Sequence, residues 1–103
     1  MITAIVQFRL PKPVSRDRAQ ELFLGTAPKY REAAALVRKY YLLSDDGSTA
    51  GGVYLWKTRA DAERMYTPEW RQFISRTYGA EPQVQYFETP VVVDNLTGEI
   101  AKV

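Results

Sequence analysis

From Ile2 to Leu10 the side chains alternate, with Ile2, Ala4, Val6 and Phe8 on one side and Thr3, Ile5, Gln7 and Arg9 on the other. A period of two is the signature of a strand. Pro11 and Pro13 end it, because proline lacks the amide hydrogen that a sheet ladder uses. Ser15 is placed to cap a helix, and Ala19, Leu22, Phe23, Thr26, Ala27, Tyr30 and Ala34 then recur at the three-and-four spacing of one helical face. Gly25 and Pro28 interrupt that spacing and predict a kink or restart near Thr26. Leu36 to Leu43 is rich in strand formers and is followed by a turn over Ser44 to Thr49. A third strand runs from Gly52 to Lys57, close enough to the second to form a hairpin with it.

Thr58-Arg59-Ala60-Asp61 has the spacing of a capping box and opens a short helix that ends near Tyr66. Thr67-Pro68-Glu69 starts another, with a capping hydroxyl, a proline at the first helical position and a carboxylate at the positive end of the helix dipole. Trp70, Phe73, Ile74, Thr77 and Tyr78 share one face of that helix, and Gly79 ends it. Gln83 to Val93 reads as a long strand interrupted at Pro90, and Asp94 to Val103 as a polar tail. The order strand, helix, strand, strand, broken helix, strand predicts an α+β fold: a ferredoxin-like four-stranded antiparallel sheet with helices on one face, in a single domain over residues 1–95 with a tail over 96–103. Both parities of these strands carry large apolar groups, as in Ile5 and Val6, Tyr40 and Tyr41, Leu55 and Trp56. A sheet that is apolar on both faces needs cover on both, which predicts a homodimer formed through the face without helices.

Composition narrows the chemistry. The 103 residues hold neither Cys nor His, so disulfides, Cys or His metal sites and Ser-His or Cys-His catalytic pairs are excluded. Asp45-Asp46-Gly47 reads as a solvated turn, with no second acidic cluster to complete a metal site. No metal and no cofactor is expected. There is no glycine-rich nucleotide motif, and a net charge of +2 gives no case for nucleic acid even though Tyr54 and Trp56 on the third strand superficially mimic the stacking rings of an RNA-binding sheet. No apolar run approaches the roughly 18 residues of a membrane span, and the first residues lack a secretory leader, so the expectation is a soluble cytoplasmic protein.

Thirteen aromatic residues are many for this length. One reading is a pocket for a flat ligand, with Tyr54 and Trp56 on one strand face and Tyr40, Trp70 and Tyr86 as further candidates. The other is that the rings are simply core. Arg38 and Glu88 are charges within predicted strands, where an unpaired buried charge is costly. Arg38 suits stabilisation of an enolate or phenolate and Glu88 suits proton acceptance, unless the two form an ion pair at the rim of a dimer interface.

Three blocks, Arg38-Lys39-Tyr40-Tyr41-Leu42, Ala50-Gly51-Gly52-Val53-Tyr54-Leu55-Trp56 and Tyr66-Thr67-Pro68-Glu69-Trp70, resemble those of the YdhR-type monooxygenases of the dimeric α/β-barrel superfamily. The resemblance spans about residues 1–95, and the hairpin block with its double glycine is its most specific part. It implies a ferredoxin-like subunit whose dimer closes two sheets into a barrel. Better understood relatives, the quinone-forming monooxygenases of aromatic polyketide pathways, oxidise phenols or anthrones with O₂ and use no flavin, haem or metal. Their third strand carries a Trp preceded four residues earlier by an Asn that contacts the substrate. Trp56 is similar to that Trp, but Gly52 stands where the Asn would be. The resemblance therefore implies a cofactor-independent monooxygenase acting on a small aromatic or polycyclic molecule, and the departure at Gly52 leaves open a non-catalytic barrel that only binds such a ligand.

Overall fold

The strand formed by the first alternating segment, β1 (Ile2–Arg9), sits inside the sheet. The computed structural model describes all residues, 1–103. After β1 come α1 (Arg16–Arg31), β2 (Leu36–Leu43), β3 (Thr49–Trp56), α2 (Arg59–Met65), α3 (Pro68–Tyr78), β4 (Gln83–Glu88), β5 (Val91–Asp94) and β6 (Glu99–Lys102). The main sheet has the order β2-β3-β1-β4, and all its pairings are antiparallel. This is the predicted ferredoxin-like arrangement, with β2 and β4 as edges. No helix is long and apolar enough to cross a membrane.

The caps form as the sequence predicts. The hydroxyls of Ser15, Thr58 and Thr67 accept from the backbone N–H groups of Arg18, Asp61 and Trp70, which satisfies donors that a helix start leaves free. Gly79 closes α3 at φ 76°, a left-handed conformation that a side chain would strain. Ile2, Ala4, Val6 and Phe8 of β1 join Tyr54 and Trp56 of β3 in one buried cluster with Ala62, Trp70, Ile74 and Tyr78 from the helices. The helices thus cover one sheet face. On the other face Ile5, Val53 and Leu55 are half-buried, while Tyr40, Leu42 and Phe87 are exposed.

Two expectations are corrected. The helix predicted to break near Thr26 is continuous from Arg16 to Arg31. Pro28 lies in its last turn and removes one bond, the one its N–H would give the Leu24 carbonyl, without ending the helix, and the Thr26 hydroxyl donates to the Phe23 carbonyl at 3.0 Å. The predicted polar tail is instead a hairpin: β5 and β6 pair from Val91 with Lys102 to Asp94 with Glu99 as a separate two-stranded sheet. Its turn is held by the Asp94 carboxylate, which accepts from the Leu96 N–H at 2.9 Å, and by Gly98 at φ 77°.

Candidate functional site

The space between sheet and helices is packed with rings. Tyr54 and Trp56 stack along β3 with centroids 6.3 Å apart, and Tyr66 meets both edge-on at 5.4 and 6.0 Å. Trp70 lies 4.8 Å from Tyr66, and Tyr30 of α1 stands edge-on to Tyr54 at 5.7 Å. Each buried indole has an acceptor: Trp56 Nε1 donates to the Tyr66 hydroxyl at 2.9 Å and Trp70 Nε1 to the Tyr30 hydroxyl at 3.0 Å. Burial pushes the Tyr54 and Tyr66 phenols above their ordinary range, so both stay protonated and neutral.

The seven candidate residues separate into two groups. Tyr54, Trp56 and Trp70 are buried in the ring cluster, and Tyr86 is half-buried at its margin, 6.1 Å from Tyr66 and beneath the Arg59 guanidinium. Tyr40 and Arg38 lie on the opposite sheet face, where Arg38 donates to the Tyr40 hydroxyl at 3.3 Å and reaches Asp94 of the hairpin at 4.0 Å. These two residues line a small cleft of about 360 Å³ between that face and the hairpin. Glu88 is exposed at the end of β4, in register with Ile2 and so on the ring face. Arg38 and Glu88 therefore occupy opposite edge strands and opposite faces of one subunit. They are neither brought into one pocket nor paired with each other, and both are exposed, which removes the burial cost that first drew attention to them.

The larger cleft, about 690 Å³, opens between α1 and the β2–β3 hairpin. Ala19, Phe23 and Ala27 of α1 face Tyr41 and Leu43 of β2 across it, and the exposed charges of Arg16, Asp45 and Asp46 also border it. This volume suits a small aromatic molecule. None of the seven candidates lines it. Its inner wall is the stacked pair Phe23 and Tyr41, 4.7 Å apart, with the Tyr41 hydroxyl 2.7 Å from that of Thr26. Because the Thr26 hydrogen is committed to the Phe23 carbonyl, Tyr41 is the donor. In the adjoining turn the Asp46 carboxylate accepts from both hydroxyls of Ser44 and Ser48 and from the Ser48 N–H, which holds it down to about 2.

Sequence reasoning missed Lys39. Its side chain lies on the ring face and its amine rests against three phenol rings, 3.4 Å from the centre of Tyr30, 3.7 Å from Tyr41 and 4.5 Å from Tyr54. Gly52 leaves space beside it: a Cβ at that position would stand 3.0 Å from the Tyr40 carbonyl oxygen, 3.1 Å from the Tyr54 ring and 3.2 Å from Lys39 Cε. Burial, aided by the Lys29 ammonium, lowers the Lys39 amine to about 6. The available signal was parity, since Lys39 and Tyr41 share a face and Tyr41 pairs with Gly52.

No protein-family model matches the chain, and no curated protein matches its sequence. Solved structures do match. A monooxygenase from the ActVA-Orf6 gene of Streptomyces coelicolor, in complex with nanaomycin D, is similar at a TM-score of 0.65 and 19% identity over 85% of this chain and 86% of that one. SnoaB, a cofactor-independent oxygenase from Streptomyces nogalater, is similar at a TM-score of 0.63 and 14% identity over 85% and 91%. A structure described as an antibiotic biosynthesis monooxygenase is similar at 0.65 and 16% over 86% and 98%. The chain thus shares its ferredoxin-like fold with these monooxygenases.

Proposed function

We propose that the protein is a homodimeric, cofactor-independent monooxygenase of the YdhR type that oxidises a small aromatic or polycyclic substrate with O₂. The observation that carries this reading is the ring-lined interior, with its adjoining 690 Å³ cleft, on a fold shared with oxygenases that include one holding nanaomycin D. For an anthrone-type substrate the bookkeeping is simple: one atom of O₂ becomes the new carbonyl oxygen, and the other leaves as water with the two hydrogens of the oxidised carbon. In this proposal the substrate enters by the cleft along Phe23 and Tyr41, and Tyr54, Trp56, Trp70 and Tyr86 form the ring layer that must part for it to reach the interior. Arg38 and Tyr40 belong in this proposal to the second-subunit side of the sheet, and Glu88 to the open end of the ring face.

One observation favours the rival reading, a barrel that binds ligand without turnover. Both indole N–H groups are already committed to tyrosine hydroxyls, and Gly52, four residues before Trp56 on β3, offers no polar side chain to the ring face. Tryptophan fluorescence and an oxygen electrode separate the two. Electron-rich phenols and anthrones should quench the emission, and some should consume O₂ in the protein's presence without added cofactor. Quenching with no uptake above the buffer rate would leave only the binding barrel, and a Trp56→Ala variant that binds as tightly as the parent would move the site away from Trp56.

A further inference from the structure

Two buried indoles lie at the inner end of a run of oxidisable rings that reaches the surface at its other end. Trp56 and Trp70 are 2% and 3% exposed, and both meet Tyr66, at centroid distances of 6.0 and 4.8 Å. Tyr66 is also buried and lies 6.1 Å from Tyr86, which is half-buried at the margin of the layer. In a chain without Cys, indoles and phenols are the side chains that most readily give up one electron. What an oxidised ring does next depends on where its proton can go. The Trp56 and Trp70 N–H groups donate to the hydroxyls of Tyr66 and Tyr30, which are too weakly basic to take a proton. An indole that loses an electron there stays a radical cation, a stronger oxidant than the neutral radical, and draws an electron from a neighbouring phenol. Tyr86 can supply it, because its hydroxyl stands at the margin with the charges of Glu63, Arg59 and Arg71 acting on it. The Arg59 guanidinium, 4.5 Å over the ring, opposes a positive charge on Tyr86, so the electron leaves together with the phenolic proton. The other branch runs from Trp70 through Tyr30 to Tyr41. It ends on a hydroxyl whose hydrogen is committed to Thr26.

We propose that Trp56, Trp70, Tyr66 and Tyr86 form a one-electron relay that carries an oxidising equivalent from the interior to Tyr86 at the margin of the fold. The inference goes beyond the oxygenase reading and does not need it. Any one-electron oxidant strong enough to oxidise a buried indole starts the relay, an oxygen-centred radical being the class that aerobic oxidation of a phenol supplies. The oxidant takes one electron from Trp56 or Trp70 and gains a negative charge. One electron then passes from Tyr86, by way of the Tyr66 ring, to the indole, which is restored. The Tyr86 O–H bond breaks and its proton goes to water. In sum the oxidant gains one electron, Tyr86 loses one electron and one proton, and the other rings end as they began. The neutral tyrosyl radical then sits where a solvent reductant reaches it, and the buried rings that join the sheet to the helices are spared.

A laser flash at the long-wavelength edge of the indole absorption, with a scavenger in solution for the ejected electron, oxidises the tryptophans alone and needs no access to them. Transient absorbance then follows the indole and tyrosyl radicals separately. In the parent protein the indole band should decay as the tyrosyl band rises, at a single rate that does not change with protein concentration. Tyr86→Phe, which keeps the ring and its packing, should lose the tyrosyl band and lengthen the life of the indole radical. Tyr66→Phe, which leaves a ring in place but one that is hard to oxidise, should slow the transfer without removing its product. Tyr41→Phe should behave as the parent does. An indole radical that decays in the parent with no tyrosyl band, or at a rate that rises with protein concentration, would overturn the relay. So would a tyrosyl band undiminished in Tyr86→Phe, a transfer as fast in Tyr66→Phe as in the parent, or a band lost in Tyr41→Phe.

Discussion

Among the buried residues, hydrogen bonds between rings decide which aromatic can sit where. Trp56 and Trp70 carry N–H groups that cannot be left dry, and each is matched by one tyrosine hydroxyl, Tyr66 for the first and Tyr30 for the second. Those hydroxyls come from α2's end and from α1, so each bond also ties a helix to the ring layer. Tyr66→Phe keeps the ring and deletes only the acceptor. It should lower stability by about 1–3 kcal/mol, the cost of an orphaned buried donor, with little change in the ring packing. Urea unfolding checks this, and a variant as stable as the parent would mean that the Trp56 indole has another acceptor. Gly52 shows the complementary economy: there an absent side chain leaves space beside the Tyr40 carbonyl, the Tyr54 ring and the Lys39 stem.

At the scale of elements, the strands and caps of the main sheet were legible because their signals are local: alternation in β1, a hydroxyl before each helix, and a glycine after α3. The site was legible by residue type and not by side. Register shifts between Leu36 and Arg38, where a bulge interrupts the pairing of β2 with β3. Simple alternation from Leu36 carries Arg38 and Tyr40 to the helix face, whereas the bulge sends Lys39, Tyr41 and Leu43 there instead. One extra residue thus exchanged the expected cation for its neighbour. The hairpin of β5 and β6 was hidden for another reason, since Val91 to Val93 reads as β4 continued past Pro90, and nothing local says that a new sheet begins. This hairpin exposes Val91, Val93, Leu96 and Ile100, with Leu96 95% accessible, beside the sheet face that lacks helices. Such a patch suits burial against a second copy. Sedimentation at micromolar concentration should therefore give about twice the chain mass. Paired substitutions Val93→Asp and Leu96→Asp should shift it to a monomer with unchanged far-ultraviolet circular dichroism. A parent that sediments as a monomer would remove the dimer from the proposed function.

For the whole molecule, the ring layer and its lysine together set how stability depends on pH. The folded protein holds Lys39 near 6 against an ordinary 10.5, so between those values the unfolded chain binds a proton that the folded chain does not. Stability rises with pH wherever the unfolded state binds more protons, so this group makes the fold more stable from about pH 6 upward, until both states are neutral. The tyrosines act with the opposite sign. Burial pushes Tyr41 up to about 12 and moves Tyr54 and Tyr66 upward as well, from an ordinary 10.0. Their contribution is fully present below pH 10 and is lost as pH climbs through the folded values, because the unfolded chain ionises first. The two effects meet in a maximum on the alkaline side, near pH 9 to 10, above the range from about pH 5 to 8 where most proteins are most stable. Urea midpoints measured from about pH 6 to 11 should climb, crest and fall. In Lys39→Met the rising limb should flatten while the alkaline fall persists, since the tyrosines are untouched. A parent midpoint that stays level between about pH 7 and 9 would mean that the cation–π contacts of Tyr30, Tyr41 and Tyr54 outweigh desolvation and keep Lys39 charged in the fold.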